Sequence, residues 1–149
     1  MKPLLLAVLA ALISQQALAF GETGRWSSGW GQGVSEYLVK DTKGNQLYIA
    51  CNNDGQTPAT MTLTVAGKDY GYGAQQDFAL IIDGKAPLFP SDAESRAGGG
   101  NFRVAWEGIR KAKTLVAKTA DGKVVPLPLT GAAKMLPPSK SKTYSCVTW

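Results

Sequence analysis

Short stretches of alternating apolar and polar residues run through most of the chain, the pattern of strands that bury one face. In residues 60–66, three apolar side chains alternate with three threonines. Residues 34–40 and 46–51 have similar content, and the turn-forming residues at 41–45 favour an antiparallel hairpin between them. We expect further strands at 77–82, 114–119, 124–129 and 143–149.

The apolar spacing changes to that of a helix after Asn101, a residue suited to cap a helix N-terminus. Apolar residues follow at positions 102, 105, 106 and 109, on one helical face. A short second helix is predicted at 130–136, and a long exposed connection at 87–100. The pattern predicts a mainly β, α+β fold: an antiparallel sheet or β-sandwich with one amphipathic helix and a short C-terminal helix.

The N-terminus has the three parts of a secretory signal peptide. Lys2 supplies positive charge, residues 4–13 are apolar, and Ala17-Leu18-Ala19 is a small-x-small cleavage pattern. We therefore expect residues 1–19 to be removed as a signal peptide. This would leave a soluble periplasmic or secreted protein of a Gram-negative bacterium, without a membrane-spanning segment. The alternative is a retained N-terminal anchor.

Two cysteines are present, Cys51 and Cys146. An oxidising compartment favours their pairing as one structural disulfide that closes the fold. Free buried thiols are the alternative. A redox-active pair is disfavoured, because such pairs usually have the spacing Cys-x-x-Cys.

Glycine and tryptophan distinguish the first part of the expected mature chain. Residues 20–33 contain five glycines and no apolar periodicity, so we expect a loop or flexible N-terminal arm there. Residues 34–149 show no long-period repeat and are expected to form a single β-rich domain.

The candidate partner-binding residues lie in glycine-rich segments. Trp26 and Trp30 belong to the arm, and tryptophan is enriched at interface hot spots. The alternative is that both tryptophans fold back as a lid on the core. Lys85 and Arg96 are further candidates, in the connection at 85–100.

Charge and composition exclude several classes of function. Sixteen basic and eleven acidic residues give a net charge of +5, but the basic residues form no stripe interleaved with aromatics, so we expect no nucleic-acid partner. The chain has no histidine, which excludes histidine-based catalytic triads and histidine zinc sites. We expect no metal and no cofactor.

Asp83, Asp92 and Glu94 are the carboxylates from which an acid–base site could be built. Ordinary turn chemistry is the alternative role for them. No pair of carboxylates lies on predicted rigid elements in an arrangement typical of acid–base catalysis. We therefore expect that the protein is not an enzyme.

The C-terminal third has a recognisable order of elements. It reads Phe102-x₃-Trp106-x₂-Ile109-x₂-Ala112-Lys113, then a strand, then Asp121-Gly122-Lys123, then the run 125–133. This order resembles the invasion-associated locus B type of bacterial periplasmic proteins. The resemblance implies a small exported, β-rich, virulence-associated protein with an accessory role at the host or envelope interface, and no enzymatic activity.

The sequence therefore predicts an exported accessory or binding protein that acts by protein surface recognition at the cell envelope or host interface. Its partner would be another protein or an envelope component. The alternative is a periplasmic inhibitor or immunity protein against an envelope-degrading enzyme such as a lysozyme.

Overall fold

The structure is a computed structural model that describes residues 20–149. The predicted signal peptide, residues 1–19, lies outside the described residues. Among residues 20–149, neither helix combines the length and the apolar character that crossing a membrane requires.

A five-stranded antiparallel sheet follows the order of the chain. Its strands are β1 (Ser27–Gly31), β2 (Val34–Lys40), β3 (Gln46–Asn52), β4 (Thr60–Val65) and β5 (Lys68–Gly71). β1 and β5 are the two edges, and the alternating segment at 60–66 forms β4 as predicted.

A smaller antiparallel sheet contains β6 (Phe78–Ile82), β7 (Leu115–Thr119) and β8 (Val124–Pro126). Helix α1 (Arg96–Lys111) lies between β6 and β7 in the chain, and the short helix α2 (Ala132–Met135) follows β8. The predicted mainly β fold with one amphipathic helix, one short C-terminal helix and one disulfide is confirmed.

Helix α1 packs on one face of the five-stranded sheet, which we call the inner face. The Trp106 ring on α1 meets the Tyr37 ring of β2 edge-on, with 4.9 Å between centroids. Tyr144 approaches the same indole from the C-terminal segment, at 5.2 Å. Trp106 is fully buried, so this aromatic contact joins helix, sheet and C-terminal segment in one core.

The two sheets are joined at the β5 edge. The Tyr70 hydroxyl donates to the Asp121 carboxylate (2.9 Å), which lies in the turn between β7 and β8. Lys68 lies 3.3 Å from the same oxygen. Hydrogen bonds from the Thr119 hydroxyl, and then from Tyr70 and Lys68, lower the pKa of Asp121 to about 2. The carboxylate therefore keeps its charge throughout the physiological pH range.

The predicted loop-like arm at 20–33 is wrong, because β1 lies within it and is a strand of the main sheet. The turn between β1 and β2 is Gln32-Gly33, and both residues have positive φ (51° and 80°). Two such residues form the tight turn that matches the twist of antiparallel strands. The predicted boundary between residues 33 and 34 therefore falls inside a hairpin rather than between an arm and a domain.

The disulfide between Cys51 and Cys146 is confirmed, and it closes a separation of 95 residues. The predicted strand at 143–149 is wrong. Val147 makes a single bridge with Pro58, and its carbonyl accepts the Ala59 N–H at 2.8 Å. Pro58 has no N–H with which to extend the ladder.

Helix α1 begins five residues before the predicted cap at Asn101. Its N-cap is Ser95, whose hydroxyl accepts the Gly98 N–H (2.9 Å). The connection predicted at 87–100 therefore ends at residue 95. Three consecutive glycines obscure this start in the sequence, since glycine disfavours helix interiors. Asn101 is inside the helix, where its side chain accepts the Phe89 N–H (3.2 Å).

Gly99 and Gly100 provide a matched test of why these glycines are present. A Cβ on Gly99 would collide with the Trp149 carbonyl oxygen, whereas a Cβ on Gly100 would meet nothing within 4 Å. We expect Gly99→Ala to lower the free energy of unfolding by about 1–3 kcal/mol. Gly100→Ala should raise it by about 0.5–1 kcal/mol, because alanine favours the helix. Urea unfolding measures both, and equal effects of the two substitutions would contradict the proposed close approach.

Candidate binding groove

An open groove of about 490 Å³ lies along the free edge of β1. One wall is formed by β1 and β2, through Ser28, Trp30 and Ser35. The opposite wall is formed by α2 and the segment that follows it. Trp30 is 72% exposed, the largest exposed fraction among the exposed large apolar side chains of residues 20–149.

The strand register explains why Trp30 faces the groove. Trp30 pairs with Ser35, and Ser35 pairs with Cys51 of β3. Directly paired residues of antiparallel strands point to the same face, so these three side chains form one row across the inner face. Cys51 is fully buried at one end of the row and Trp30 is exposed at the other. The groove is therefore the uncovered margin of the sheet's core-facing side.

Helix α1 holds the opposite wall by its side chains. The Trp106 indole N–H donates to the Pro137 carbonyl (2.8 Å), and Arg110 Nε donates to the Leu136 carbonyl (2.8 Å). Glu107 accepts the Ser139 N–H at 2.7 Å. Because these contacts are to main-chain groups, they fix the path of residues 136–139 directly.

Glu107 is held as a carboxylate by this arrangement. The Ser139 main-chain N–H contributes most, with the Ser139 side chain and Arg110 adding to it, and together they lower the pKa of Glu107 to about 2. Arg110 also lies 2.9 Å from the carboxylate. The anchor between α1 and the groove wall therefore persists into acidic solution, and protonation would weaken it only as the pH falls towards 2.

The disulfide holds the end of the same wall. Thr143, which lines the groove, lies three residues before Cys146 in the chain. Cys146 is bonded to Cys51, which lies in the Trp30 row of the sheet. The disulfide therefore fixes the C-terminal segment beside the groove as well as closing the fold.

The groove combines one charge with apolar surface and hydroxyl groups. Lys134 is the one lining residue with a full charge, among residues 20–149, and it is exposed. Met135 and Pro137 add apolar surface beside the Trp30 ring, and hydroxyl groups supply hydrogen-bonding partners. Burial raises the pKa of the Tyr37 phenol at the base of the groove, so this group stays neutral.

Trp26 does not reach the surface, so the prediction that it contacts a partner is wrong. The side chain is fully buried, and its indole N–H donates to the Pro128 carbonyl (3.1 Å). The alternative role, folding back on the core, describes Trp26 but not Trp30. Alternation does not separate the two roles, because residues 26 and 30 face the same side of the strand. Position along the edge does: residue 26 lies just before β1, where its N–H donates to the Thr130 carbonyl and its ring is covered by the core.

Lys85 and Arg96 do not line the groove. Lys85 is exposed in the turn after β6, where its N–H donates to the Ile82 carbonyl (3.1 Å). Arg96 is the first residue of α1 and is also exposed. Their contribution to partner binding stays a prediction.

Two of the three candidate carboxylates, Asp83 and Asp92, hold different local structures. Asp83 accepts the main-chain N–H groups of Thr114 (2.9 Å) and Lys113 (2.8 Å), which lower its pKa. Asp92 accepts the N–H of Glu94 in a local turn. Within residues 20–149, no three Asp, Glu, Cys or His side chains come close enough together to hold a metal ion.

Sequence reasoning missed the residues of the second wall. Lys134, Met135 and Thr143 lie about a hundred residues from Trp30, and no local pattern links them to it. Ser35 was accessible to inference, because the alternation in 34–40 places it on the same face as Tyr37.

Fold and groove together define a small, disulfide-closed α+β protein with an open groove at a sheet edge. The model of the YfjT family matches residues 24–136, so the chain belongs to that family. A similar relative is the uncharacterized protein YfjT of Escherichia coli strain K12, 29% identical over 124 residues that cover 78% of this chain and 79% of the relative. No solved structure matches the chain. The resemblance to the invasion-associated locus B type stays a prediction.

Proposed function

We propose that this protein is an exported, non-enzymatic binding protein that recognises another protein at the cell envelope or host interface through the Trp30 groove. The observation that carries the proposal is the position of Trp30. A large aromatic side chain is 72% exposed in a groove whose first wall is the paired strands β1 and β2 and whose second wall is held by α1 and the disulfide.

The fixed position of the second wall favours binding, because the ordering of mobile groups on association costs free energy. Helix α1 bonds to the main chain of residues 136–139, and the disulfide holds the segment beyond them. A partner would therefore meet a surface that needs little reorganisation. Tryptophan in such a setting is the residue type that most often dominates interface energetics.

The compartment is supported by two features. A disulfide persists in oxidising environments outside the cytoplasm. The N-terminal sequence has the pattern of a signal peptide, which predicts passage to such a compartment. An accessory protein of the bacterial envelope fits both features.

Trp30→Ala is expected to abolish capture of the partner from a periplasmic extract by the immobilised mature protein. Loss of a central aromatic contact should weaken binding by about 30-fold or more, equivalent to about 2 kcal/mol. Calorimetric titration with the purified partner measures the change.

Trp149→Ala is the matched control, because Trp149 is also highly exposed (61%) and lies outside the groove. Capture should be unchanged in this variant. Equal capture by the wild type and the Trp30→Ala variant would refute the proposed site.

One observation favours the second candidate function, inhibition of an envelope-degrading enzyme such as a lysozyme. The turn that carries Lys85 is anchored, since Asp83 within it accepts two main-chain N–H groups from residues 113–114. An exposed cation on an anchored turn suits the paired-carboxylate cleft of a glycosidase. Adding the protein to a lysozyme cell-wall lysis assay tests this function, and an unchanged rate of lysis across the lysozyme classes would exclude it.

A further inference from the structure

The tight turn after β1 determines which main-chain groups of this strand are free. Gly31 and Val34 flank the two-residue turn, so they form a hydrogen-bonded pair. Hydrogen-bonded pairs recur at every second residue, so Gly29 also bonds to β2. The N–H and C=O groups of Ser28 and Trp30 therefore point away from the sheet. Within residues 20–149 they have no main-chain partner on that side.

The free edge already begins to pair with another segment. Trp26 has the same orientation as Ser28 and Trp30, and its N–H donates to the Thr130 carbonyl at 2.8 Å. The chain then turns into α2 and leaves the edge. An interrupted sixth strand position thus lies beside β1, and the groove adjoins it on the inner face, over β1 and β2.

The side chains around this position indicate the chemistry of an occupant. Lys134 is the charged group of the groove, and no carboxylate lines it among the described residues. Trp30 and Met135 offer apolar contacts next to it. An occupant with a carboxylate and an apolar side chain on the same face would complement both features.

We propose that an extended acidic peptide segment of the partner protein adds to β1 as a further strand. The inference rests on the proposed function and specifies its partner. The main-chain groups of Ser28 and Trp30 pair with the peptide, as in other cases of strand addition to a sheet edge. Alternate peptide side chains face the groove, where an apolar one contacts Trp30 and an acidic one contacts Lys134.

The test uses a display library of random 12-residue peptides selected on the immobilised mature protein. We expect the selected peptides to carry Asp or Glu beside an apolar residue. Two synthetic copies of each peptide are compared, one N-methylated at its odd-numbered residues and the other at its even-numbered residues. The copy whose methyl groups replace the N–H groups that face β1 should bind about tenfold more weakly, and the other copy should bind like the unmodified peptide. Lys134→Glu should weaken binding about tenfold as well.

Ser28→Pro removes the outward-pointing N–H and leaves the bonds between β1 and β2 intact, since proline is tolerated at sheet edges. We expect Ser28→Pro to bind the peptides about tenfold more weakly than Ser28→Ala, which also lacks the hydroxyl but keeps the N–H. Thermal unfolding of both variants checks that the fold is retained. The N-methylated peptides test the same pairing on the wild-type protein if Ser28→Pro does not fold.

Several outcomes would overturn the inference. One is selection of no peptides, or of peptides insensitive to N-methylation and to Lys134→Glu. Another is binding of soluble peptidoglycan fragments in place of peptides, and a third is a concentration-dependent dimer joined through β1 in analytical ultracentrifugation. If Trp30→Ala abolishes partner capture but Ser28→Pro and Lys134→Glu do not, the proposed function stands and strand addition is refuted.

Discussion

Trp26→Ala is expected to lower the free energy of unfolding by about 3–5 kcal/mol, whereas Trp30→Ala should change it by less than about 0.5 kcal/mol. The two residues are of the same type and four positions apart. Trp26 is fully buried, and its truncation leaves a cavity and the Pro128 carbonyl without its donor. Trp30 has few neighbours to lose, because most of its surface already contacts solvent.

Urea unfolding followed by circular dichroism measures both variants, and partner capture gives the complementary result. Trp30→Ala should lose the partner while it keeps its stability. A Trp26→Ala variant as stable as the wild type would contradict the buried position of Trp26. A large loss of stability in Trp30→Ala would show that the groove is closed by this ring rather than open.

Removal of the disulfide is the second change with a large expected effect. The double variant Cys51→Ala/Cys146→Ala should lose about 4–5 kcal/mol of unfolding free energy, because the disulfide closes a separation of 95 residues and restricts the unfolded chain. Partner binding should weaken as well at temperatures where the variant is folded. The segment that carries Thr143 would then be held at one end only.

Dithiothreitol provides the control for this prediction. It should destabilise the wild-type protein to the level of the double variant and leave the double variant unchanged. Titration of the native protein with a thiol reagent should detect no free thiol in residues 20–149. If the double variant and the wild type unfold at the same urea concentration, the bond contributes nothing to stability.

The alternation of apolar residues was sufficient to predict the strands in the middle of the main sheet. β4 buries every second side chain, as its sequence suggests. Both edge strands were missed, because β1 is rich in glycine and β5 contains charged residues. Edge strands have fewer neighbours to pack against, so their sequences are under weaker apolar constraint.

The turns held a signal that would have found both edges. β1 joins β2 through Gln32-Gly33, and β4 joins β5 through Ala66-Gly67, each with two positive φ angles. A residue followed by glycine between two candidate strands is a hairpin signal. The glycine content of 20–33 thus marked a tight turn rather than a flexible arm.

The sequence predicts Trp30 as a candidate contact but does not predict the opposite wall of the groove. Trp30 is conspicuous in the sequence, but its neighbour Lys134 becomes relevant only when α2 is brought to the β1 edge. That arrangement depends on long-range contacts such as the one between the Trp26 N–H and the Thr130 carbonyl. Such contacts have no local periodicity, so no window of sequence contains them.

The two walls of the groove come from opposite ends of the described chain, and this has a thermodynamic consequence. The β1 wall is held by its pairing with β2 and by the buried Trp26, and the opposite wall is tied to the core by α1 and the disulfide, so neither wall opens without loss of core contacts. Occupancy is then linked to global unfolding, and a ligand at a hundred times its dissociation constant adds about 2.7 kcal/mol to stability. The melting temperature of the whole protein therefore reports on whether the groove is filled.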